Sequence, residues 1–313
     1  MDVVRFHSVC GSCRSSIPPS LPNSPSFPMQ IPHPSNHSIE TLLNQATVYV
    51  IEPTDANGAS NLEPLAISTK WRLIKVEESK NHNHNHNHPL TLLSPISDRK
   101  ILYPHGSNSP MLWNLLDFRV TELCKSYTPN ISSATVSKVV FFPNSPWIGA
   151  EDSVACCIFL EGKLGFMKHG DEKWNLVDNE NFFYDDVIVF KGQFYVTDKY
   201  YESEPPRRRN YLGRADREAA VEYFKVYKLD EEWGTWVDVK HLGDRAFVLG
   251  NCCSFSVSAK ELMGYQGNCI YFMDIFDVHV YNLDYCSIVS IDFDPCMDKS
   301  MCSHSSWLRI GQN

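Results

Sequence analysis

Between residues 233 and 274 the chain reads WGTWVDVKHLGDRAFVLGNCCSFSVSAKELMGYQGNCIYFMD, and this stretch restricts the fold more than any other. Runs rich in β-branched and aromatic side chains lie at 236–239, 246–249, 254–257 and 269–272, separated by Leu-Gly-Asp, Leu-Gly-Asn and Gln-Gly-Asn. Apolar runs bounded by glycine turns specify short strands. Their close spacing predicts a meandering antiparallel sheet with Gly243, Gly250 and Gly267 in its turns. The stretch carries almost no reactive chemistry.

The same alternation extends through most of the chain. Strands are expected at 46–51, 71–76, 101–103, 136–142, 154–160, 164–168, 174–177, 187–190, 194–197 and 223–229. Glu161-Gly162-Lys163, His169-Gly170-Asp171, Lys191-Gly192-Gln193 and residues 230–235 supply hairpin breaks. Helical expectations are few. Val3, Phe6, Val9 or Cys10, and Cys13 form one apolar stripe over residues 2–16, ended by Pro18-Pro19. Residues 117–127 are expected as a second helix, and 214–221 as a short helix or loop. The Pro- and Ser-rich residues 18–34 are expected to run extended, with Phe27 and Met29 tacking them onto a core. Three segments, EGKLGFMK, KGQFYVTD and QGNCIYFMD, repeat a glycine before an aromatic-rich strand. Repetition of this kind suits the blades of a β-propeller, although a β-sandwich or a pair of barrels yields many of the same strands.

A chain of 313 residues with 43% apolar and 21% charged side chains has the composition of a globular protein of one large all-β domain or about two domains. Its net charge of -9 argues against a nucleic-acid surface. No run approaches the roughly 18 apolar residues of a membrane span, and the N-terminus lacks the apolar core of a signal peptide. An intracellular protein is expected. The 11 cysteines agree with this, being odd in number, and Cys156, Cys157 and Cys269 sit in apolar runs as free, buried thiols would. Asn36 and Asn130 match the glycosylation pattern, by chance in a chain that is not secreted.

Candidate chemistry is sparse. His82, His84, His86 and His88 would share one side of an extended strand and could chelate a transition metal, but Asn-His repeats between strand signals read better as a low-complexity loop. Cys10 and Cys13 have redox or zinc spacing without a second pair, and Cys296, Cys302 and His304 lie irregularly in a turn-rich tail. Asp185-Asp186 and Glu151-Asp152 are the nearest carboxylate pairs for hydrolysis; adjacent strand residues point to opposite faces, which favours polar strand ends. Arg207-Arg208-Arg209, with Arg214 and Arg217, could meet an acidic partner or phosphate and reads as a solvated loop after Pro205-Pro206. Trp147, Trp174, Trp233 and Trp236 could anchor a partner; such residues more often wedge between sheets. No residue is assigned a catalytic, cofactor-binding or metal-ligating role, and no enzyme activity is expected.

DVIVFKGQFYVTD at 186–198, the Tyr223-to-Gly250 segment containing YFKVYKLDEEWGTWVDVK, and above all CSFSVSAKELMGYQGNCIYFMD at 253–274 resemble plant F-box proteins, SKIP-like, that carry a C-terminal KIB-type β-propeller domain. RFHSVCGSCRSSIPPSLP at 5–22 looks like the closing helix of an F-box, where the family has Trp at the place of Cys13. The resemblance implies an all-β, kelch-like propeller at 41–295, an F-box remnant at 1–17, a linker at 18–40 and a tail at 296–313. It further implies a non-enzymatic substrate receptor of an SCF-type E3 ubiquitin ligase in the nucleus or cytoplasm, with a Skp-type adaptor and a target protein as partners and no cofactor. The chain departs from the family pattern twice. The first F-box helices, which carry much of the adaptor surface, are missing, and between Tyr201 and Tyr223 the family has additional strands, which predicts an incomplete blade. The alternatives are a propeller module without Skp binding and, from a different class, a hydrolase assisted by a metal at His82–His88.

Overall fold

The computed structural model describes residues 29–32, 40–53, 72–78, 90–100, 118–129, 136–143, 154–160, 162–168, 171–177, 184–201, 221–230, 235–262, 265–274 and 277–291. Among them are 18 strands and no helix. The strands expected at 101–103, the helix at 2–16 and residues 214–220 lie outside the described residues.

The glycine turns act as the sequence suggests. Lys191 and Gly192 both take positive φ, 48° and 75°, which is the twist a two-residue hairpin needs, and they pair β10 (Asp186–Phe190) with β11 (Gln193–Tyr201). β11 pairs directly with β12 (Val221–Asp230), and β12 with β13 (Thr235–Asp238), so this sheet has four consecutive antiparallel strands. The departure expected between Tyr201 and Tyr223 thus falls in the connection from β11 to β12.

The other strands make two sheets. One comprises β1 (Met29–Pro32), β2 (Glu40–Pro53), β3 (Arg72–Glu78), β4 (Leu90–Leu93), β5 (Phe118–Pro129), β6 (Val136–Phe142), β7 (Val154–Phe159), β8 (Leu164–Lys168) and β9 (Asn175–Leu176). Its order is β4-β3-β2-β5-β6-β7-β8-β9, with β1 on β2. The halves on either side of β5 and β6 meet through one residue pair, Tyr127 with Val139. The third sheet is β14 (Arg245–Leu249), β15 (Ser254–Ser258), β16 (Cys269–Asp274), β17 (Asp277–Asn282) and β18 (Ser287–Ile291), in the order β15-β14-β16-β17-β18.

Two expectations are corrected. Residues 118–129 are a strand, not the helix expected at 117–127. A bulge on β5 sets Val48 opposite Cys124 and Tyr49 opposite Glu122, so Leu123 is the extra residue. It shifts the alternation by one and spaces Val120, Leu123 and Tyr127 by three and four, imitating a helical stripe. The late sheet is also not a pure antiparallel meander, because β14 and β16 run parallel. The connection after β15 is tied to the start of β14, Ala259 N–H donating to Asp244 O at 2.9 Å and Asn268 N–H to Arg245 O at 2.8 Å. The chain therefore returns on the far side of β14.

Taken as four units (β1–β5, β6–β9, β10–β13, β14–β18), the sheets pack in a closed circle. Ile31, Leu43 and Tyr127 of the first meet Val139, Phe141, Cys157 and Phe159 of the second. Cys156, Ile158 and Leu164 of the second meet Val187, Phe194, Val196 and Leu229 of the third. Ile188, Phe224 and Val226 of the third meet Phe247, Leu249, Ile270 and Phe272 of the fourth. Ala246, Val248, Tyr271 and Val280 of the fourth return to Val48, Val50, Leu73 and Ile96 of the first. This explains runs that are apolar at every position. Cys156 and Cys157, Phe247 and Val248, and Ile270 and Tyr271 are buried on opposite faces of their sheets.

Polar groups bind the units at the centre of the circle. Lys138 Nζ on β6 donates to Asp186 Oδ2 on β10 at 2.7 Å and to the Gly250 carbonyl after β14 at 2.6 Å. Lys75 on β3 donates to Asp98 Oδ1 at 2.5 Å, while Asn251 N–H and Nδ2 donate to Ile96 O and Ser97 O at 3.0 and 3.1 Å. Burial works against the Lys75 charge, but the Asp98 carboxylate, together with Cys253 and Cys252, holds the pKa above its ordinary value. Gly250 has to be glycine, since a Cβ there would strike the Pro95 carbonyl and lie 2.6 Å from Cys253 O. Gly250→Ala is expected to cost about 1–3 kcal/mol, read from the urea midpoint; an unchanged midpoint would contradict this contact.

Candidate functional site

The hairpin at Gly192 places Asp186 opposite Thr197, which makes Asp185 and Asp198 the next facing residues. Their neighbours on the same face follow from register: Asp198 opposite Lys225, Tyr200 opposite Tyr223, and Val196 opposite Tyr227. One end of this face, with Phe194, Val196 and Leu229, is buried against β7 and β8. The other end carries a polar and aromatic ladder. Tyr200 and Tyr223 stack with ring centroids 4.4 Å apart and planes 7° from parallel, and Lys225 Nζ sits 4.8 Å from the Tyr200 centroid.

Asp185 Oδ2 accepts the Lys199 backbone N–H at 2.8 Å. Burial first, then the adjacent Asp185 carboxylate, push Asp198 up to about 6, against the opposing pull of the Tyr200 hydroxyl and Lys225. A carboxyl with a raised folded pKa releases its proton first in the unfolded chain, so the folded state binds more protons and stability falls as pH rises from about 4 to about 6. Asp198→Asn should flatten that fall and raise the Tm at pH 7; a variant that keeps the wild-type pH dependence would refute the assignment.

A cleft of about 340 Å³ opens between the third and fourth units, lined by Glu222, Tyr223 and Lys225 of β12, Lys240 beyond β13, and Tyr281 and Cys286 of the fourth unit. Tyr281, whose hydroxyl accepts the Phe224 backbone N–H, is pushed up to about 12 by burial and then by the Cys286 thiol. Lys240 pairs with Asp238, and His241 Nε2 lies 3.7 Å from Asp284 Oδ1 beside the cleft. Large apolar side chains stand exposed on the same two units, Val237 on β13, Tyr285 in the β17–β18 turn and Val289 on β18. This arrangement offers surfaces and hydrogen-bonding groups for a macromolecular partner.

The residues singled out from sequence separate as strand geometry demands. Asp186 turns inward to Lys138 and Asp185 outward to Asp198, so the adjacent pair is not one site. Trp174 packs edge-on against Phe159 at 5.5 Å, and Trp236 lies 5.7 Å from Tyr184, the first wedged between the first and second units and the other between the second and third. The described cysteines are free, and burial pushes Cys253 and Cys269 each up to about 11. His82, His84, His86, His88, Cys10, Cys13, Cys296, Cys302, His304, Glu151, Asp152, Trp147, Trp233, Arg207, Arg208, Arg209, Arg214, Arg217, Asn36 and Asn130 lie outside the described residues. Among the described residues no three His, Cys, Asp or Glu side chains gather as a metal site requires. Sequence reading missed Asp198 as the partner of Asp185. The signal was the Lys191-Gly192 turn, whose two-residue loop fixes that register.

The family model of the KIB1-4 beta-propeller matches residues 42–203 and 207–283. The Arabidopsis thaliana F-box protein At2g26160 is 27% identical, covering 87% of this chain and 89% of its own length. F-box protein SKIP23 of the same plant is 24% identical over 84% of this chain and 76% of its own. F-box protein At4g35733, also from Arabidopsis thaliana, is 24% identical over 93% and 88% respectively. No solved structure matches.

Proposed function

Because the chain belongs to the KIB1-4 β-propeller family, we propose that it is a protein-recognition scaffold and a substrate receptor of an SCF-type E3 ubiquitin ligase. The observation that carries this reading is its similarity, over most of their length, to relatives named F-box proteins. In such an assembly the receptor performs no bond chemistry. It holds a target beside a ligase whose other subunits transfer ubiquitin, and its own task is to present a fixed surface.

The fold supports that task physically. Four units sharing cores on both faces form a frame with little freedom, and edge strands and turns at its rim vary without disturbing the buried positions. The unit of function is then a rigid surface and not a reactive residue. We place the protein in the nucleus or cytoplasm, where this ligase machinery works.

The direct test is reconstitution with a purified Skp-type adaptor. A complex is expected on size-exclusion chromatography, and it should disappear when residues 1–17 are removed. Absence of a complex, both for this chain and for the same propeller fused behind the F-box of a relative, would overturn the ligase reading.

A further inference from the structure

The geometry points to the open edge of β18, together with the cleft beside it, as the acceptor for an extended basic segment of a target protein; this rests on the reading of the chain as a recognition scaffold. Among the described residues β18 pairs only with β17, through five consecutive pairs from Val278–Ile291 to Asn282–Ser287 without a bulge. Its sequence, Ser-Ile-Val-Ser-Ile, has no charge and no proline. Natural proteins blunt such edges with lysines, prolines, bulges or short length, because an unprotected row of backbone N–H and C=O groups invites another strand. The other rim strands follow that practice. β9 has 2 residues, and β13 has 4, with Asp238 beside Lys240. β15, the other edge of this sheet, is equally uncharged but wholly buried, whereas most of β18 is exposed.

The edge also has a pocket next to it, as strand-adding recognition sites do. β18 lies against β12, and its Ile288 faces Tyr281 across the ladder, on the side that packs toward the third unit. A strand added to β18 would send every second side chain to that same side, toward the cleft that Tyr281 lines. The intervening side chains would lie with Val289, which is 63% exposed and would gain cover.

Charge selects the occupant. In the cleft wall Lys240 is matched by Asp238, and Lys225 faces Asp198 and the Tyr200 ring, which leaves the exposed carboxylate of Glu222 as the surplus. Tyr223, half-buried at the cleft wall, offers a ring against which a guanidinium or ammonium can rest. The chain as a whole carries -9, which draws basic segments toward it. An arginine or lysine at alternate positions of an extended segment meets all three conditions.

The test uses the full chain and a fluorescein-labelled decapeptide that alternates arginine with threonine, followed by fluorescence polarisation. Saturable binding is expected. It should weaken at least tenfold when alternate peptide nitrogens are methylated, when glutamate replaces arginine, or when the protein carries Glu222→Lys at an unchanged Tm. Equal binding of the methylated peptide would remove the strand-addition edge, and indifference to Glu222→Lys would remove the cleft; either result overturns the proposal. A dimer in solution that Val289→Lys dissociates would assign the edge to a second copy and overturn it as well. Adaptor binding retained without peptide binding sinks this proposal alone, whereas peptide binding without adaptor binding sinks only the ligase reading.

Discussion

One buried ammonium group holds the architecture in register. Lys138 leaves β6 and finds its acceptors on two other sheets, the Asp186 carboxylate and the Gly250 carbonyl. An ammonium and a carboxylate taken out of water are tolerated only when hydrogen bonds replace the lost hydration, and losing one partner of such a pair typically costs about 3–5 kcal/mol. Here the compensation exists only when the second, third and fourth units are assembled. Apolar attraction between the sheets is non-directional. The Lys138 contacts specify one arrangement, and Asn251 and the Lys75–Asp98 pair extend the same logic to the first unit.

Around this polar centre every sheet lends both faces to a core. That requirement accounts for the composition of the inner strands, where Cys-Cys, Phe-Val and Ile-Tyr neighbours are all buried. It also accounts for where function can reside. With the faces consumed by packing, what remains for a partner is the rim: the tyrosine and carboxylate ladder of β11 and β12, the cleft between the third and fourth units, and the uncharged edge of β18. The proposed role of this member of the KIB1-4 β-propeller family as a recognition scaffold needs little more than a stiff frame with such a rim.

The local grammar of the fold is legible in the sequence because glycine turns and apolar runs act over a few residues. The hairpin at Gly192 and the wedged roles of Trp174 and Trp236 follow from that grammar alone. What is not legible depends on distant partners. The bulge at Leu123 disguises β5 as a helix until β2 is seen beside it. The parallel pairing of β14 with β16 depends on backbone bonds from Ala259 and Asn268 that no periodicity announces. Lys138 gives no signal of its own in the run VSKVVFF, since a lysine in a strand ordinarily marks a solvated position. Its partners lie 48 and 112 residues away.

The central claim is that Lys138 couples the sheets and does not merely decorate one of them. Backbone amide exchange followed by mass spectrometry on the wild type and Lys138→Met measures this directly. Coupling predicts that exchange quickens together in β6, β10 and β14, on three different units. Faster exchange confined to β6 and its hairpin partner β7, with β10 and β14 as protected as in the wild type, would contradict it.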